Sequence, residues 1–205
     1  MILEDWYMRV ATRDDAAAIV DIYAPYVRNT NVSFEYDVPS VAEYAKRIDA
    51  ISARYPFLVA CNAEGDIVGY CYAGAFKTRA AYDWAVECTI YLSPCAKGRG
   101  VSGQLYDWLE EILILQHITN ANACIVEPNP SSERFHAKRG FKTVGHFTKC
   151  GYKLGKWQDM IWMEKTIAAH PEHPLPVVAF PHLDCSHIRP LRCHQGAPSA
   201  PVALP

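Results

Sequence analysis

The chain has 205 residues, half of them apolar and a fifth charged, and can therefore bury one substantial hydrophobic core. Its formal net charge of -2 gives no positive field of the kind that attracts a phosphate backbone, so no nucleic acid partner is expected and a small-molecule ligand is favoured. No apolar run approaches the roughly 18 residues of a membrane span, and residues 1–7 hold two acids and no basic segment of the signal-peptide kind. We therefore expect a cytoplasmic protein without membrane contacts.

Hydrophobic spacing and turn residues predict the element order β-α-α-β-β-β-α-β-α-β-β. Strands are expected at residues 7–11, 57–62, 67–76, 85–93 and 121–127 and in a closing hairpin over 141–166, with helices after Thr12, after Ser40, at residues 104–116 and after Ser131 or Ser132. Thr12 with Asp15 and Ser40 with Glu43 match the capping box that opens a helix. This order predicts one α/β (α+β) domain over residues 1–167.

The composition changes after Ile167, because residues 168–205 hold eight of the 14 prolines and no amphipathic element. We expect this Pro/His-rich segment to be a poorly ordered tail. Several of its side chains are chemically able to bind zinc, namely His170, His173, His182, Cys185, His187, Cys193 and His194. Their spacing lacks the paired knuckles of a zinc site, so no metal is expected. The eight cysteines, also without a Cys-x-x-Cys pair, are interpreted as mostly reduced.

A glycine-rich segment from Lys97 to Gly103 lies between a predicted buried strand and a predicted helix. Glycines there let successive backbone N–H groups curl around an anion, and the helix N-terminus adds partial positive charge. The segment would suit a pyrophosphate, although it matches neither the Walker pattern nor the dinucleotide Gly-x-Gly-x-x-Gly spacing. From the residues alone, an ordinary glycine-rich turn with solvated basic side chains is an equally good interpretation.

One carboxylate, Glu87, lies within the otherwise uncharged strand that precedes this segment. Burial of a carboxylate is costly and raises its pKa, which suits a general base that faces an ammonium substrate. The alternative is a structural ion pair with Lys77 or Arg79.

A family resemblance rests on Tyr82-Asp83-Trp84, Glu87, Tyr91-Leu92-Ser93-Pro94, the Lys97–Gly103 segment, residues 129–141 and Gly151-Tyr152-Lys153. These residues resemble phosphinothricin N-acetyltransferases of the GNAT superfamily, and the likeness runs from about Arg9 to Thr166. It implies a central mixed β-sheet flanked by helices and splayed between two central strands. It also implies acetyl-CoA as co-substrate, no metal, and a homodimer.

The resemblance assigns a cofactor site along the splayed strand. The pantetheine arm of acetyl-CoA is expected to pair with the backbone of Ile90, Tyr91 and Leu92. The pyrophosphate is expected at Gly98, Arg99, Gly100, Val101, Ser102 and Gly103, and Asn129 and Ser132 match family positions near the cofactor. Ser102 stands where the family usually has glycine or alanine, and its Cβ is expected to resist a positive φ.

The resemblance also assigns an acceptor pocket, lined by Phe34, Ala80, Ala81, Tyr82, Cys88 and Thr89 together with Glu87. Lys77 and Arg79 either recognise an anionic group of the substrate through charge-assisted hydrogen bonds or are solvated loop charges. His136, in a Ser-x-x-x-His helix, either assists proton transfer or is a packing group.

The implied reaction transfers the acetyl group of acetyl-CoA to the free amine of phosphinothricin or a similar small amino acid analogue, as in herbicide resistance. Glu87 would accept the ammonium proton, and the Leu92 N–H is a candidate to stabilise the developing oxyanion. Two alternatives remain. One is an N-acetyltransferase for methionine sulfone, methionine sulfoximine or another small amine, and the other is a non-catalytic acyl-CoA-binding regulator.

Overall fold

The computed structural model describes residues 6–184, which fold around one seven-stranded sheet with four α-helices. The strands are β1 (Tyr7–Val10), β2 (Phe57–Cys61), β3 (Ile67–Ala75), β4 (Ala85–Leu92), β5 (Asn120–Glu127), β6 (Lys142–Lys153) and β7 (Lys156–Thr166). The helices are α1 (Ala16–Asn29), α2 (Val41–Ser52), α3 (Val101–Leu115) and α4 (Pro130–Lys138). The predicted order of strands and helices is confirmed.

The sheet is mixed and opens in its middle. Its strand order is β1-β2-β3-β4-β5-β7-β6, and only β4 and β5 are parallel neighbours. These two strands pair from Ala85↔Asn120 to Glu87↔Asn122, yet β4 continues to Leu92 and β5 to Glu127. Beyond Glu87 the two strands therefore separate, which confirms the predicted splay and leaves their facing edges without a strand partner.

Helices cover both faces of the sheet. The side chains of β2 alternate between two buried clusters, because successive strand residues point to opposite faces. Leu58 and Ala60 join the cluster beneath α3, and Phe57, Val59 and Cys61 join the cluster beneath α1 and α2. The sheet is therefore the middle layer of three, and its central opening lies between helices.

The helix starts differ in detail from the predictions. Ser40 caps α2 by accepting a hydrogen bond from Glu43 N, as predicted. Helix α4 is capped by Asn129, whose side chain accepts from Ser132 N at 3.2 Å, and not by Ser131 or Ser132. Pro130 explains the difference, because proline suits the first helical position, where its missing N–H leaves no bond unmade.

Helix α3 begins three residues earlier than predicted, at Val101. The backbone takes positive φ at Gly98 (75°) and Gly100 (85°), and Gly100 is the residue that caps the helix. Ser102 lies in the first helical turn, so the expected conflict between its Cβ and a positive φ does not arise. Between Lys97 and Gly103, positive φ angles therefore fall only on glycines.

The segment after Ile167 lies against the domain as far as it is described. Gln116 is fully buried, and its Nε2 donates to Val178 O at 2.8 Å and to Arg54 O at 2.7 Å. Trp84 Nε1 donates to Leu175 O at 2.8 Å. Residues 175–178 thus supply partners for buried or half-buried side chains of the core.

Two further observations concern only residues 6–184. No helix there is both long and apolar enough to cross a bilayer. In the same range, no group of three or more His, Cys, Asp or Glu side chains is arranged to hold a metal ion. The tail residues Cys185, His187, Cys193 and His194 lie outside the described part of the chain.

Candidate active site

A cavity of about 520 Å³ occupies the gap between the separated strands. One wall is Glu87–Tyr91 of β4, and the opposite wall is residues 123–126 of β5. Residues 32–35, which connect α1 to α2, close one end, and Asn129, Ser132 and His136 of the α4 region line the other. The cavity therefore joins the predicted acceptor residues to part of the predicted cofactor site.

Glu87 is half-buried at the point where β4 leaves β5. Burial raises the pKa of its carboxyl above the ordinary value, and the nearby Lys77 ammonium lowers it only in part. Among residues 6–184 no side chain hydrogen-bonds or ion-pairs with this carboxylate. The carboxylate is thus available to a ligand in the cavity, and the structural ion pair considered as its alternative role does not form.

Lys77 is held by aromatic rings and not by a carboxylate. Its Nζ lies 4.5 Å from the centroid of the Trp162 ring and 5.0 Å from that of Phe76. Such cation–π contacts fix an ammonium without neutralising it. Lys77 therefore presents a positive charge that acts on Glu87, but it lies outside the Glu87 cavity, in a neighbouring pocket that it lines together with Arg79 and Tyr82.

The remaining residues of the β3–β4 connection lie outside the Glu87 cavity. Ala80–Tyr82 form a single 3-10 turn, and Ala81 and Tyr82 line a separate pocket of about 260 Å³ with Trp84 and His170. The Arg54–Asp83 ion pair (3.0 Å) holds the end of this turn beside α2. The structure therefore does not bring Ala80, Ala81 and Tyr82 together with Glu87, whereas Phe34, Cys88 and Thr89 do line the cavity.

His136 is 3% exposed, and both of its ring nitrogens have protein partners. Nδ1 lies 2.9 Å from Ser132 O, an acceptor only, so Nδ1 carries the proton. Nε2 then accepts from Tyr106 Oη at 2.9 Å. Burial lowers the pKa of His136 below its usual value, which favours the neutral ring that these two contacts require. These contacts favour the packing role over the proton-transfer role.

The predicted cofactor residues lie on both sides of the opening. Ile90 and Tyr91 line the cavity, and the carbonyl of Leu92 accepts a hydrogen bond from Tyr26 Oη at 2.6 Å. Lys97 Nζ lies 4.9 Å from the Tyr26 ring, which holds the start of the glycine segment beside α1. Val101, the first residue of α3, is fully buried in the core, so its side chain anchors the start of the helix.

Asn129 and Ser132 line the cavity, but the hydrogen bonds of Asn129 are those of a residue that caps α4. Asn129 N donates to Glu133 Oε1 at 2.8 Å, which completes a reciprocal cap with the Asn129 side chain. Ser132 Oγ lies 3.3 Å from His136 Nδ1. Both residues are therefore held in place at the α4 end of the cavity.

Sequence reasoning missed several cavity residues, among them Tyr23, Tyr72, Tyr106, Cys124 and Met160. Cys124 lies on β5 two residues beyond Asn122, the register partner of Glu87. Burial, together with the Glu87 charge, raises the pKa of its thiol to about 12, so Cys124 is a neutral lining residue. Strand alternation places Cys124 on the same face of β5 as Asn122, but this indicates a cavity position only when the β4–β5 register is known.

A mixed sheet opened between two parallel strands, with a carboxylate in the gap and a glycine-capped helix following the first of these strands along the chain, defines the class of GNAT-fold acyltransferases. The chain belongs to the acetyltransferase (GNAT) domain family, whose model matches residues 8–162. It is an acetyl-CoA-dependent N-acetyltransferase of the phosphinothricin N-acetyltransferase type. This membership argues against the non-catalytic alternative.

Individual relatives support the same class. The phosphinothricin N-acetyltransferase of Streptomyces viridochromogenes is 35% identical over 170 residues, which are 83% of this chain and 92% of the relative. The crystal structure of a phosphinothricin acetyltransferase from Sinorhizobium meliloti in complex with acetyl-CoA matches with a TM-score of 0.78 at 32% identity, covering 85% of this chain and 98% of that one. An L-methionine sulfoximine/L-methionine sulfone acetyltransferase of Pseudomonas paraeruginosa is 29% identical over 151 residues, 73% of this chain and 88% of the relative. The predicted fold class and acetyl-CoA co-substrate are thereby confirmed.

Proposed function

We propose that this chain acetylates the free amine of phosphinothricin or a closely similar small amino acid analogue, a detoxification reaction of the herbicide-resistance type. The observation that carries the proposal is the Glu87 carboxylate, which is half-buried, has no ion-pair partner among the described residues, and lines the cavity where β4 and β5 separate. The identity of 35% to a phosphinothricin N-acetyltransferase supports this choice of acceptor.

In this proposal Glu87 is the general base. The amine arrives as an ammonium, and Glu87 takes one of its protons, directly or through water, so that the nitrogen lone pair becomes available. Acetyl-CoA, when bound, supplies the activated acyl group as a thioester. Ile90, Tyr91 and Leu92 would hold it by their backbone, with Leu92 N–H as the candidate oxyanion donor. Cys88, Thr89 and Phe34 would line the acceptor side.

The cofactor phosphates would be held at the N-terminus of α3, by Gly98, Arg99, Gly100, Val101, Ser102 and Gly103, with Asn129 and Ser132 close to the arm. The positive φ of Gly98 and Gly100 supports this assignment, because it turns the loop so that its N–H groups can converge on an anion. Lys77 and Arg79, which line the neighbouring pocket of the β3–β4 connection, would bind the anionic group of an acceptor that extends from the Glu87 cavity to that pocket.

We also propose that the protein works in the cytoplasm as a homodimer, without nucleic acid or membrane partners, and that residues 1–167 are the catalytic domain and 168–205 the tail. The β6–β7 hairpin supports the dimer, since it exposes large apolar side chains that a partner subunit would cover. They are Val144, Phe147, Tyr152, Leu154 and Trp157. Cross-linking and light scattering at micromolar concentration test the dimer.

The acceptor is tested by thiol release from acetyl-CoA with phosphinothricin, methionine sulfone, methionine sulfoximine and a panel of ordinary amino acids. We expect the highest kcat/KM with phosphinothricin. The relative that acts on methionine sulfoximine and methionine sulfone makes those amines the second candidates. Turnover with only one of them would keep the chemistry and replace the acceptor, and no turnover with any amine in the panel would contradict the proposed function.

The role of His136 is tested by Tyr106→Phe, which removes the hydroxyl donor to His136 Nε2. Because the nitrogen is buried, loss of its partner is expected to lower the free energy of unfolding by about 1–3 kcal/mol. If His136 is a packing group, kcat should fall by less than about threefold, well short of the 10²–10⁴ of a proton-transfer group. Urea unfolding and steady-state kinetics measure the two quantities, and a fall in kcat of a hundredfold or more would contradict the packing role.

A further inference from the structure

Residues 31–36, here called the acceptor wall, connect α1 to α2 and close one end of the Glu87 cavity. Four of them, from Val32 to Glu35, line the cavity directly. The acceptor wall contains no helix or strand, so no ladder of backbone hydrogen bonds fixes it. Its position must come from side-chain contacts with other elements.

Helices α1 and α2 supply two of those contacts, between Tyr23 Oη and Ser33 Oγ (2.6 Å) and between Arg47 and Glu35. The β6–β7 hairpin, more than a hundred residues away in sequence, supplies the others. Lys153 Nζ donates a hydrogen bond to the carbonyl of Ser33. Gln158 Oε1 accepts from Asn31 Nδ2 at 2.8 Å, and Gln158 Nε2 donates to Lys153 O at 3.3 Å. Both hairpin side chains are buried, Lys153 at 3% exposure and Gln158 at 8%. They form one polar network beneath the acceptor wall.

Packing adds a second constraint at the same place. The ring of Phe34 occupies the space in front of Gly151, and a Cβ on Gly151 would overlap three of its ring carbons. Tyr36 Oη donates to the carbonyl of Tyr152, the next residue of the hairpin. Three consecutive hairpin residues, 151–153, thus contact three residues of the acceptor wall, namely Phe34, Tyr36 and Ser33.

A contribution to stability does not by itself explain why a lysine is buried at position 153. An ammonium that is removed from water loses hydration that one carbonyl does not replace, and burial accordingly lowers the pKa of Lys153. The carboxylate of Glu35, which attracts this charge, is itself engaged by Arg47. An apolar side chain of similar length would avoid the desolvation cost, but it would leave Ser33 O without its donor.

We propose that Lys153, Gln158 and Gly151 are positioning residues that hold the acceptor wall across the cavity from Glu87, and so set the size of acceptor amine that the site accepts. This inference rests on the proposed function for its kinetic consequence. The anchoring itself is a property of the free protein and is measurable without any substrate.

The test compares Lys153→Met with Lys156→Met, a matched loss of an exposed lysine from the same hairpin. In the free protein, amide hydrogen exchange of residues 31–36 is expected to speed up about tenfold in Lys153→Met, the effect of one hydrogen bond from a charged donor, and to stay unchanged in Lys156→Met. The KM for the amine is expected to rise about tenfold, while the KM for acetyl-CoA stays within about twofold. Thermal unfolding checks that both variants are folded.

Gly151→Ala provides a second variant, since its methyl group displaces the Phe34 ring while leaving Lys153 in place. It is expected to raise the KM for the amine selectively, as Lys153→Met does. Unchanged exchange of residues 31–36 in Lys153→Met would overturn the anchoring, and parallel increases in both KM values would show a general structural role instead. A parent chain that acetylates no amine overturns the proposed function separately, because the exchange result decides the anchoring without substrate.

Discussion

Glu87→Gln is expected to lower kcat at least about a hundredfold, the usual contribution of a general base, while acetyl-CoA binds as tightly as it does to the parent protein. Glutamine keeps the shape of the side chain but cannot accept the ammonium proton. Because burial raises the pKa of Glu87, kcat/KM of the parent should also fall with decreasing pH at a pH above the ordinary range of glutamate. Thiol release across pH, beside calorimetric titration of coenzyme A, measures both effects.

The same substitution is expected to stabilise the fold at neutral pH. A carboxyl whose pKa is raised in the folded state holds its proton more tightly there than in the unfolded chain. Its favourable contribution is complete below the unfolded pKa of about 4.3 and is lost as pH rises through the folded value. At neutral pH the charged carboxylate is therefore a net cost, which glutamine removes.

Activity and stability should thus change in opposite directions in Glu87→Gln. A structural ion pair would give the contrary result, because its loss would lower the melting temperature. Glu64→Gln, in the exposed β2–β3 turn, serves as a control in which neither quantity changes. A variant of Glu87 that keeps full activity would assign the base to another group or to solvent.

The order of the elements was predictable because hydrophobic spacing and capping residues act over a few neighbouring positions. The start of α3 was not, since the residues from Val101 to Gly103 suit a loop or a helix turn equally. The start of the helix is determined by the positive φ angles, which fall on Gly98 and Gly100, so that the next three residues can adopt helical angles. The register of β4 with β5 is a pairing of distant segments and has no local signal.

Residues whose role depends on distant contacts escaped the sequence analysis for the same reason. Lys153 ends a hairpin strand whose polar and apolar residues follow no regular alternation, so the pattern does not mark Lys153 as buried. Its burial depends on the carbonyl of Ser33, 120 residues away. The proline-rich composition after Ile167 predicts loose order. Residues 175–178 are nevertheless hydrogen-bonded to the domain, because Trp84 and Gln116, which are distant in sequence, donate to their carbonyls. Glu87 was found because a lone charge in an apolar strand is a local anomaly.

Two glycines of the α3 N-terminus are expected to respond to alanine with opposite signs. Gly100 has a φ of 85°, and Gly103 lies in the first helical turn, while a Cβ at either position would meet no atom within 4 Å. Steric overlap is therefore absent in both variants, and backbone conformation decides. Gly100→Ala is expected to lower the free energy of unfolding by about 1–2 kcal/mol. Gly103→Ala is expected to raise it by about 0.5–1 kcal/mol, because alanine is the better helix former.

Affinity for coenzyme A separates the ligand role of Gly100 from its conformational role. If the loop N–H groups hold the pyrophosphate, the strained alanine should weaken coenzyme A binding by about tenfold, or about 1.4 kcal/mol. The KM for the amine should not change, since Gly100 lies outside the Glu87 cavity. Urea unfolding and calorimetric titration give the two energies for the same variant. A Gly100→Ala protein that is destabilised but binds coenzyme A as the parent does would place the pyrophosphate elsewhere, and the positive φ would then serve only to begin α3.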